Sequence, residues 1–359
     1  MVYFWLLIGL ILLVLGAEVL IRGASRLAAG LGLPPLVIGL TVVAYGTSAP
    51  ELAVSIKAGL TGEGAVAVGN VIGSNIFNVL FILGLCALVA PLTVASKLIR
   101  LDVPIMILAS FVILFLGFDG VFARREGLLL VVGLVAYTVF LVVAGRKEQP
   151  AVDLKDTVEP EPGNPWLQAL IALVGLGILV AGSRLFVGGA IALARVIGLS
   201  ESVIGLTIVA AGTSLPEVVT SVVATIRGKR EIAVGNVIGS NTFNILGVLG
   251  LSSLFGAGGF LAFPAAMLHF DLPVMIIVAL ACLPVFLTGG RISRSEGAVL
   301  FGYYLLYTLY LILASSQHDA LPAYSKALFW FIIPLNLATW VFVALVLKPE
   351  NRPEDPHPS

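Results

Sequence analysis

The sequence predicts an all-α integral membrane protein: two inverted-topology five-helix repeats with broken helices, plus one extra C-terminal transmembrane helix, giving about 11 spans. Composition predicts the membrane class, because 59% of the 359 residues are hydrophobic and 11% are charged, whereas roughly a quarter of the residues of soluble domains are charged. A long stretch that occurs twice predicts the duplication.

The duplicated stretch has two parts in each copy. They read VIGLTVVAYGTSAPE at 37–51 with VAVGNVIGSNIFNVL at 66–80, and VIGLTIVAAGTSLPE at 203–217 with IAVGNVIGSNTFNIL at 232–246. Both parts recur 166 residues later, so one offset superposes Glu51 on Glu217 and Asn78 on Asn244. Each copy places polar residues inside an apolar run, and polar residues at membrane depth are costly and usually functional.

Apolar runs long enough to cross ~30 Å of hydrocarbon, about 20 residues each, mark ten spans. The first copy supplies 2–22, 36–59, 65–90, 103–118 and 127–145, and the second supplies 166–187, 202–226, 232–256, 271–289 and 297–315. We therefore expect a first five-helix repeat over 1–145 and a second over 166–315. Because five is odd, the second copy must enter the membrane from the opposite side, which predicts a binding site near the midplane.

Three further segments complete the chain. Residues 146–165 are polar and rich in proline and acid, which indicates a flexible cytoplasmic linker. Residues 316–348 contain an apolar run at 327–347 that predicts the extra transmembrane helix, and 349–359 predict a disordered tail. The amino-terminal run lacks a basic leader and a cleavage site, so we interpret it as the first span.

Charge and composition restrict location and partners. The net charge is zero, which argues against nucleic acid as a partner. Loops on one side carry fourteen Lys and Arg residues against six on the other. This bias predicts a multi-pass protein of the cell membrane with its N-terminus outside and its C-terminus and central linker cytoplasmic. The sequence shows neither a catalytic nucleophile paired with a general base nor a cofactor-binding motif. We therefore expect no enzyme activity and no cofactor.

The GTSAPE and GTSLPE motifs indicate a cation site. Pro50 and Gly46 are expected to break the span just before Glu51, and a broken span is tolerated where its freed carbonyls are buried in protein or line a cavity. The predicted all-oxygen set comprises carbonyls near Ala44 and Ala210 and the side chains of Thr47, Ser48, Glu51, Thr213, Ser214 and Glu217. Such oxygens suit Ca²⁺, with roughly 6–8 ligands, or Na⁺.

The GNVIGSNIFN motif adds a polar helical face. Residues four apart share a face, and those that do so are Asn70, Ser74 and Asn78 in the first copy and Asn236, Ser240 and Asn244 in the second. We expect Ser74, Asn78, Ser240 and Asn244 to complete the cage. Asparagines in membrane helices more often join helices than bind ligands, so the interpretation of Asn70, Asn75, Asn236 and Asn241 is structural.

Charged residues elsewhere have plainer interpretations. Glu18 has Arg22 four residues on, which predicts a local ion pair. Asp102 and Asp271 each precede a span with a nearby proline, a pattern typical of a helix start. For Glu51 and Glu217 a binding role is favoured instead, because a buried unpaired carboxylate costs several kcal/mol.

With these paired motifs the sequence resembles the calcium/cation antiporter superfamily, specifically prokaryotic sodium/calcium exchangers with two alpha repeats. The resemblance implies sodium-driven Ca²⁺ transport by electrogenic alternating access, with Ca²⁺ held at the positions of Glu51 and Glu217. It implies Na⁺ sites at positions matching Ala44, Thr47, Ser48, Ser74, Asn78, Ala210, Thr213, Ser214, Ser240 and Asn244. It also implies that the spans 2–22 and 166–187 form a sliding pair. Ca²⁺, Na⁺ and the lipid bilayer are the expected partners of a functional monomer.

The sequence departs from the family pattern in two places. Position 244 is Asn where several relatives carry Asp, including potassium-dependent exchangers, so K⁺ co-transport is not expected and the two glutamates are the only central anions. The extra helix is additional to the ten-span pattern.

Two alternatives stay open. A proton-coupled Ca²⁺/cation antiporter would protonate the glutamates on the return step, and burial favours a neutral carboxyl group. A cation channel is the other alternative, although discontinuous spans in an inverted repeat suit a closed midplane site better.

Overall fold

Helices make up most of the chain that this computed structural model describes, namely residues 2–147, 164–197, 210–287, 289–315 and 320–327. They are α1 (Val2–Leu31), α2 (Pro35–Thr47), α3 (Ala49–Leu60), α4 (Gly64–Val89), α5 (Leu98–Leu116), α6 (Arg124–Lys147), α7 (Pro165–Val196), α8 (Ala210–Gly212), α9 (Leu215–Ile226), α10 (Arg230–Phe255), α11 (Met267–Leu287), α12 (Arg294–Ser315) and α13 (Leu321–Ala327).

Within those residues, eight helices are long and apolar enough to cross a membrane, and α2 with α3 makes a ninth span if the bent pair counts as one. The mostly helical, membrane-spanning class is therefore as predicted, while the count of eleven spans and the inverted topology stay predictions. Residues 148–163 of the predicted linker, 202–209 of the predicted span 202–226, the apolar run at 328–347 and the tail at 349–359 lie outside the described residues.

The first helix of each copy is longer than predicted. The prediction ended these spans after enough residues to cross the hydrocarbon, at 22 and 187, but α1 runs to Leu31 and α7 to Val196. Helix α1 stops only where Gly32 takes a φ of 63° and two prolines follow. A left-handed glycine is a common end for a helix, because it has no side chain to clash in that conformation.

Helices α1 and α7 pack closely and run antiparallel. A methyl group placed on Gly9, Gly16 or Gly23 would lie within 2.6 Å of the main chain of α7. Gly175 and Gly182 of α7 approach the main chain of α1 equally closely, and a methyl group on Gly189 would lie 3.0 Å from the Leu6 side chain. Small residues let membrane helices approach closely, and antiparallel first helices are what inverted copies require.

Two short antiparallel strand pairs correct the purely helical prediction. Strand β1 (Leu92–Thr93) pairs with β4 (Arg291–Ile292), and β2 (Val121–Ala123) pairs with β3 (Phe260–Ala262). Each pair joins a segment between two helices of the first copy to a segment between two helices of the second copy. Main-chain groups at such connections need hydrogen-bond partners, and an adjacent extended segment supplies them.

Five π-helical turns interrupt the described helices, at Gly39–Val43, Asn78–Leu83, Leu98–Asp102, Asn244–Leu249 and Met267–Asp271. Two of them begin at Asn78 and Asn244, both candidate cation ligands. A π turn inserts an extra residue into a helix and is common at functional sites. The sequence pattern does not predict these turns.

Helices α4 and α10 form the centre of the molecule. In the most apolar 18-residue segment of each helix, all residues of α10 and 78% of those of α4 are buried, compared with 11% of those of the outer helix α12. Helix α3 packs on α4 and α9 packs on α10. The duplicated motifs therefore meet in the protein interior rather than at the lipid-facing surface.

Candidate cation site

The break between α2 and α3 falls at Ser48, and the two helices are bent by 47° there. Ser48 has φ −81° and ψ 9°, and Ser214 at the corresponding position has φ −86° and ψ 8°. The predicted break is thus present but slightly earlier, because Ala49 is already helical. Pro50 occupies the first turn of α3, where its missing N–H group costs no helical hydrogen bond.

Reciprocal hydrogen bonds join the two broken regions. The hydroxyl of Ser48 donates to Oε1 of Glu217 at 2.8 Å, and that of Ser214 donates to Oε1 of Glu51 at 2.8 Å. Each glutamate lies in the first turn of its helix and is contacted by the serine that precedes the other glutamate's helix. The carboxylates of the two repeats are therefore brought to one place.

Both carboxylates are buried without a positive partner. Glu51 and Glu217 are 0% and 1% exposed, and in the described part of the chain neither forms an ion pair. Burying an unpaired charge costs several kcal/mol, so a cation or a proton is needed to neutralise them. Among the described residues, no three His, Cys, Asp or Glu side chains are close enough together to bind one metal ion. A metal ion at this site would therefore need amide and hydroxyl oxygens as well.

Oxygen atoms without a protein partner are concentrated at these motifs. Among the described residues, five of the predicted site residues have a buried side-chain oxygen with no hydrogen-bond partner: Oε2 of Glu51, Oε2 of Glu217, Oδ1 of Asn78, Oδ1 of Asn244 and Oγ1 of Thr213. Buried polar atoms are rarely left unsatisfied in folded proteins. Carboxylate, amide and hydroxyl oxygens are the ligands that hard cations such as Ca²⁺ prefer, so the donor chemistry of these five atoms fits such a cation.

Several of the other predicted ligands are hydrogen-bonded to one another. The hydroxyl of Ser74 lies 3.2 Å from that of Ser214, and the hydroxyl of Ser240 lies 3.4 Å from the Ala44 carbonyl oxygen. The Ala44 carbonyl also accepts from the main-chain N–H of Ser48 at 3.0 Å. It is therefore not freed by the break, contrary to the reasoning from the sequence. Ala210 begins α8, three residues before Thr213.

The asparagines Asn70 and Asn236 hold the broken segments to the central helices. Asn70 Nδ2 donates to the Glu51 carbonyl at 3.1 Å and to Ser55 Oγ at 2.9 Å, and Asn236 Nδ2 donates to Ser221 Oγ at 2.9 Å. Asn236 also accepts from the Thr47 hydroxyl at 3.1 Å. These contacts agree with the structural interpretation of the two residues.

Other charged residues behave only partly as expected. Glu18 forms the predicted pair with Arg22 at 2.7 Å, and it also pairs with Arg227 of the second copy at 2.8 Å. Asp102 makes no side-chain cap to its helix but accepts from Tyr137 at 2.9 Å. The helix-start interpretation of Asp102 was therefore wrong.

Asp271 accepts from Tyr307 at 3.0 Å in the same way. The signal available in the sequence was the tyrosine that follows each aspartate at nearly equal spacing, 35 residues in the first copy and 36 in the second. The first pair is buried and the second is partly buried, and each joins the fourth and fifth spans of its copy.

The chain is similar to several known proteins. The family model described as "Sodium/calcium exchanger protein" matches residues 1–143 and 167–313. The sodium/calcium exchanger MaX1 of Methanosarcina acetivorans is 35% identical over 342 residues, which cover 85% of this chain and 97% of that protein. The inner membrane protein YrbG of Escherichia coli is 40% identical over 258 residues, covering 70% and 79% respectively.

A solved structure is also similar. It is the sodium-calcium exchanger NCX_Mj soaked with 10 mM Na⁺ and no Ca²⁺, which is 31% identical in sequence with a TM-score of 0.73. The match covers 85% of this chain and 98% of NCX_Mj.

Proposed function

Because the chain belongs to the sodium/calcium exchanger protein family, as the resemblance implied, we propose that it is an antiporter that moves Ca²⁺ across the membrane in exchange for Na⁺. The observation that carries the proposal is the reciprocal contact of Ser48 with Glu217 and of Ser214 with Glu51. It brings two carboxylates together, each with a free oxygen, in a buried place that lacks a positive side chain among the described residues.

The two glutamates are the proposed centre of the Ca²⁺ site. Two negative charges balance one divalent cation, and the amide oxygens of Asn78 and Asn244 extend the set of hard ligands that Ca²⁺ prefers. The proposed Na⁺ sites surround this centre and use Ala44, Thr47, Ser48, Ser74, Asn78, Ala210, Thr213, Ser214, Ser240 and Asn244.

Competition for shared oxygens would couple the two ion fluxes. Several Na⁺ ions and one Ca²⁺ cannot occupy the same carboxylates at once, so loading one releases the other. The empty site carries two buried negative charges, which makes its passage past a dry barrier costly. Only the loaded forms would then alternate between the two sides of the membrane, which prevents leak.

The exchange is proposed to be electrogenic, with more positive charge entering as Na⁺ than leaving as Ca²⁺. Each net charge that crosses the membrane is driven by about 2.3 kcal/mol per 100 mV. We also propose that the N-terminus lies outside the cell, that the C-terminus and central linker lie in the cytoplasm, and that the monomer is the transporting unit.

The test is uptake of ⁴⁵Ca²⁺ into liposomes that contain the purified protein. Vesicles loaded with Na⁺ and diluted into Na⁺-free medium should take up Ca²⁺ faster than vesicles loaded with choline. Sodium coupling would be refuted if the wild-type protein took up Ca²⁺ at the same rate with and without the Na⁺ gradient. A valinomycin-imposed membrane potential should change the rate if net charge moves.

A proton-coupled Ca²⁺/cation antiporter is the second candidate. Protons could neutralise the buried pair Glu51 and Glu217 on the return step, just as cations would. A pH gradient that drives Ca²⁺ uptake in the complete absence of Na⁺ would favour this alternative over sodium coupling. Ca²⁺ uptake that responds to a Na⁺ gradient but not to a pH gradient would exclude proton coupling.

A further inference from the structure

Four asparagines of the two central helices are hydrogen-bonded across the contact between the repeats. Asn78 Nδ2 donates to Asn241 Oδ1 at 3.0 Å, and Asn244 Nδ2 donates to Asn75 Oδ1 at 3.2 Å. Asn75 Nδ2 donates to the main-chain carbonyl of Asn241 at 3.4 Å, and Asn241 Nδ2 donates to that of Asn75 at 3.2 Å. All four side chains are at most 2% exposed. We call this set the asparagine network.

The main-chain carbonyls determine how every amide in the network is turned. An asparagine side chain can exchange its oxygen and nitrogen by a half-turn, and only its hydrogen bonds distinguish the two orientations. A carbonyl oxygen can only accept, so Asn75 and Asn241 must each direct their nitrogen to the opposite carbonyl. Their own oxygens then face Asn244 and Asn78, and an oxygen requires a nitrogen opposite it.

The same logic leaves the oxygens of Asn78 and Asn244 available. Their nitrogens are used by the network, and their Oδ1 atoms are the ones without a protein partner in the described chain. An amide oxygen attracts a cation, whereas the NH₂ group of a flipped amide would repel it. The orientation of these two side chains therefore decides whether they can act as ligands at all.

We infer that Asn75 and Asn241 are positioning residues of the cation site. Each holds the ligand asparagine of the opposite repeat so that its oxygen, and not its nitrogen, is presented to the transported ion. The inference rests on the proposed function, because it takes Asn78 and Asn244 as cation ligands.

The network also accounts for the amide at position 244. An ionised carboxylate there would have no hydrogen to donate to Asn75 Oδ1, so two oxygens would face each other in a buried place, which is unfavourable. Amides at both 78 and 244 are therefore what the reciprocal network needs. Because each positioning residue belongs to the other repeat, the two halves of the site are oriented by each other.

A double-mutant cycle tests the inference. We would determine the dissociation constant for Ca²⁺ and, separately, for Na⁺ from the rise in melting temperature with cation concentration, for the wild type, Asn78→Leu, Asn241→Leu and the double variant. We expect Asn78→Leu to weaken binding of at least one cation. Asn241→Leu should weaken binding of the same cation about tenfold, because Asn78 loses the one hydrogen bond that orients its amide.

The double variant carries the decisive result. If Asn241 acts through Asn78, the double variant binds no more weakly than Asn78→Leu alone, whereas independent effects would make it bind about tenfold more weakly than Asn78→Leu. Multiplied effects, an ineffective Asn241→Leu, or an Asn78→Leu that binds both cations normally would each overturn the inference. If Asn241→Leu does not fold, the mirrored cycle of Asn75→Leu with Asn244→Leu carries the same expectation.

Thr242→Val is the matched control. Thr242 is adjacent to Asn241, is fully buried, and donates only to the Ile238 carbonyl of its own helix, at 3.0 Å. The corresponding residue of the first copy is Ile76, so an apolar side chain fits this position. Both titrations should match the wild type. A control that weakens binding as much as Asn241→Leu would show a general packing effect and contradict the inference.

Binding and exchange are measured separately in this design. A wild type that Ca²⁺ stabilises but that shows no Na⁺-dependent uptake contradicts the proposed exchange, while the cycle still decides on the network. A wild type whose melting temperature responds to neither cation contradicts both.

Discussion

The two copies of the repeat carry identical residue types at the candidate ligand positions and differ at many other positions. All six pairs of proposed ligand positions carry the same residue type, from Ala44 and Ala210 to Asn78 and Asn244. Elsewhere the first copy has Glu18 and Tyr45 where the second has Arg184 and Ala211. The chemistry of the ligands therefore constrains both copies equally, while the contacts that support each copy are free to differ.

Identical residues nevertheless have different surroundings in this conformation. The hydroxyl of Thr47 contacts Asn236, whereas that of Thr213 has no partner among the described residues. Such a difference is expected of inverted repeats, because in any state that faces one side of the membrane the two copies adopt different conformations. Comparing matched substitutions in the two copies therefore separates what the cation needs from what one conformation needs.

The largest expected effect comes from the two glutamates. Glu51→Gln and Glu217→Gln should each reduce Na⁺-dependent ⁴⁵Ca²⁺ uptake about a hundredfold or more, because removing one member of a buried charge set costs roughly 3–5 kcal/mol. Glutamine keeps the size of the side chain and an oxygen that can accept from Ser214 or Ser48. The loss should therefore reflect the missing charge.

The comparison between the two variants is as informative as the loss. Glu63→Gln, at an exposed residue just before α4, is the control and should transport normally. Uptake that survives in either glutamine variant, or that differs greatly between the two, would contradict an equal role for the two copies.

A smaller effect should distinguish the two threonines of the site. Thr47→Val removes the donor to Asn236 Oδ1 and leaves a buried oxygen unsatisfied, so we expect the free energy of unfolding to fall by about 1–3 kcal/mol. Thr213→Val removes no hydrogen bond within the described chain and should change it by less than about 0.5 kcal/mol. Chemical unfolding in detergent without added Ca²⁺ measures both. Equal losses would show that the difference between the copies is not a property of the protein in solution.

Tyr45 provides an anchor that the second copy lacks. Its hydroxyl lies 2.7 Å from that of Thr138, and its ring stacks on Phe243 with a centroid distance of 4.5 Å. Tyr45→Phe keeps the ring and loses one hydrogen bond, so we expect a loss of about 1 kcal/mol in unfolding free energy. Tyr3→Phe, at an exposed ring, is the control and should change nothing. A neutral Tyr45→Phe would mean that stacking alone supports this segment.

The smallest expected effect concerns Glu18, which joins α1 to the end of α9 through Arg227. The Arg227 side chain is 58% exposed, and such pairs contribute about 0–1 kcal/mol. Arg227→Gln should therefore lower stability by less than about 1 kcal/mol at low ionic strength, and salt should screen the difference. Choline chloride should be the salt, since Na⁺ is a proposed ligand. A larger loss that salt does not reduce would identify a packing role for this side chain.

Much of the fold could be predicted because its signals are local. Ten runs of apolar residues matched helices or parts of helices wherever the chain is described, and Pro50 with Pro216 marked both breaks. The pair of Glu18 with Arg22 was predictable too, since a helix brings residues four apart together. The helix ends, the π turns and the strand pairs were not predicted. Hydropathy indicates which segments are apolar, but it does not indicate which main-chain groups form hydrogen bonds with each other.

The candidate site was predicted as a set of residues but not as a set of contacts. Symmetry suggested that Glu51 and Glu217 meet, yet it did not suggest that each would be contacted by the serine of the opposite copy. Asn75 and Asn241 were interpreted as structural because asparagines in membrane helices more often join helices than bind ligands. Only the packing of α4 against α10 brings them to the ligand asparagines.

The sequence by itself determined the membrane class, the duplication and the oxygen-bearing positions, because hydrophobicity and residue spacing are properties of one chain segment at a time. The tertiary structure alone decided which oxygens are free and which are hydrogen-bonded. The partners in those bonds are more than 160 residues apart, and their distance depends on how whole helices pack, which no local pattern encodes.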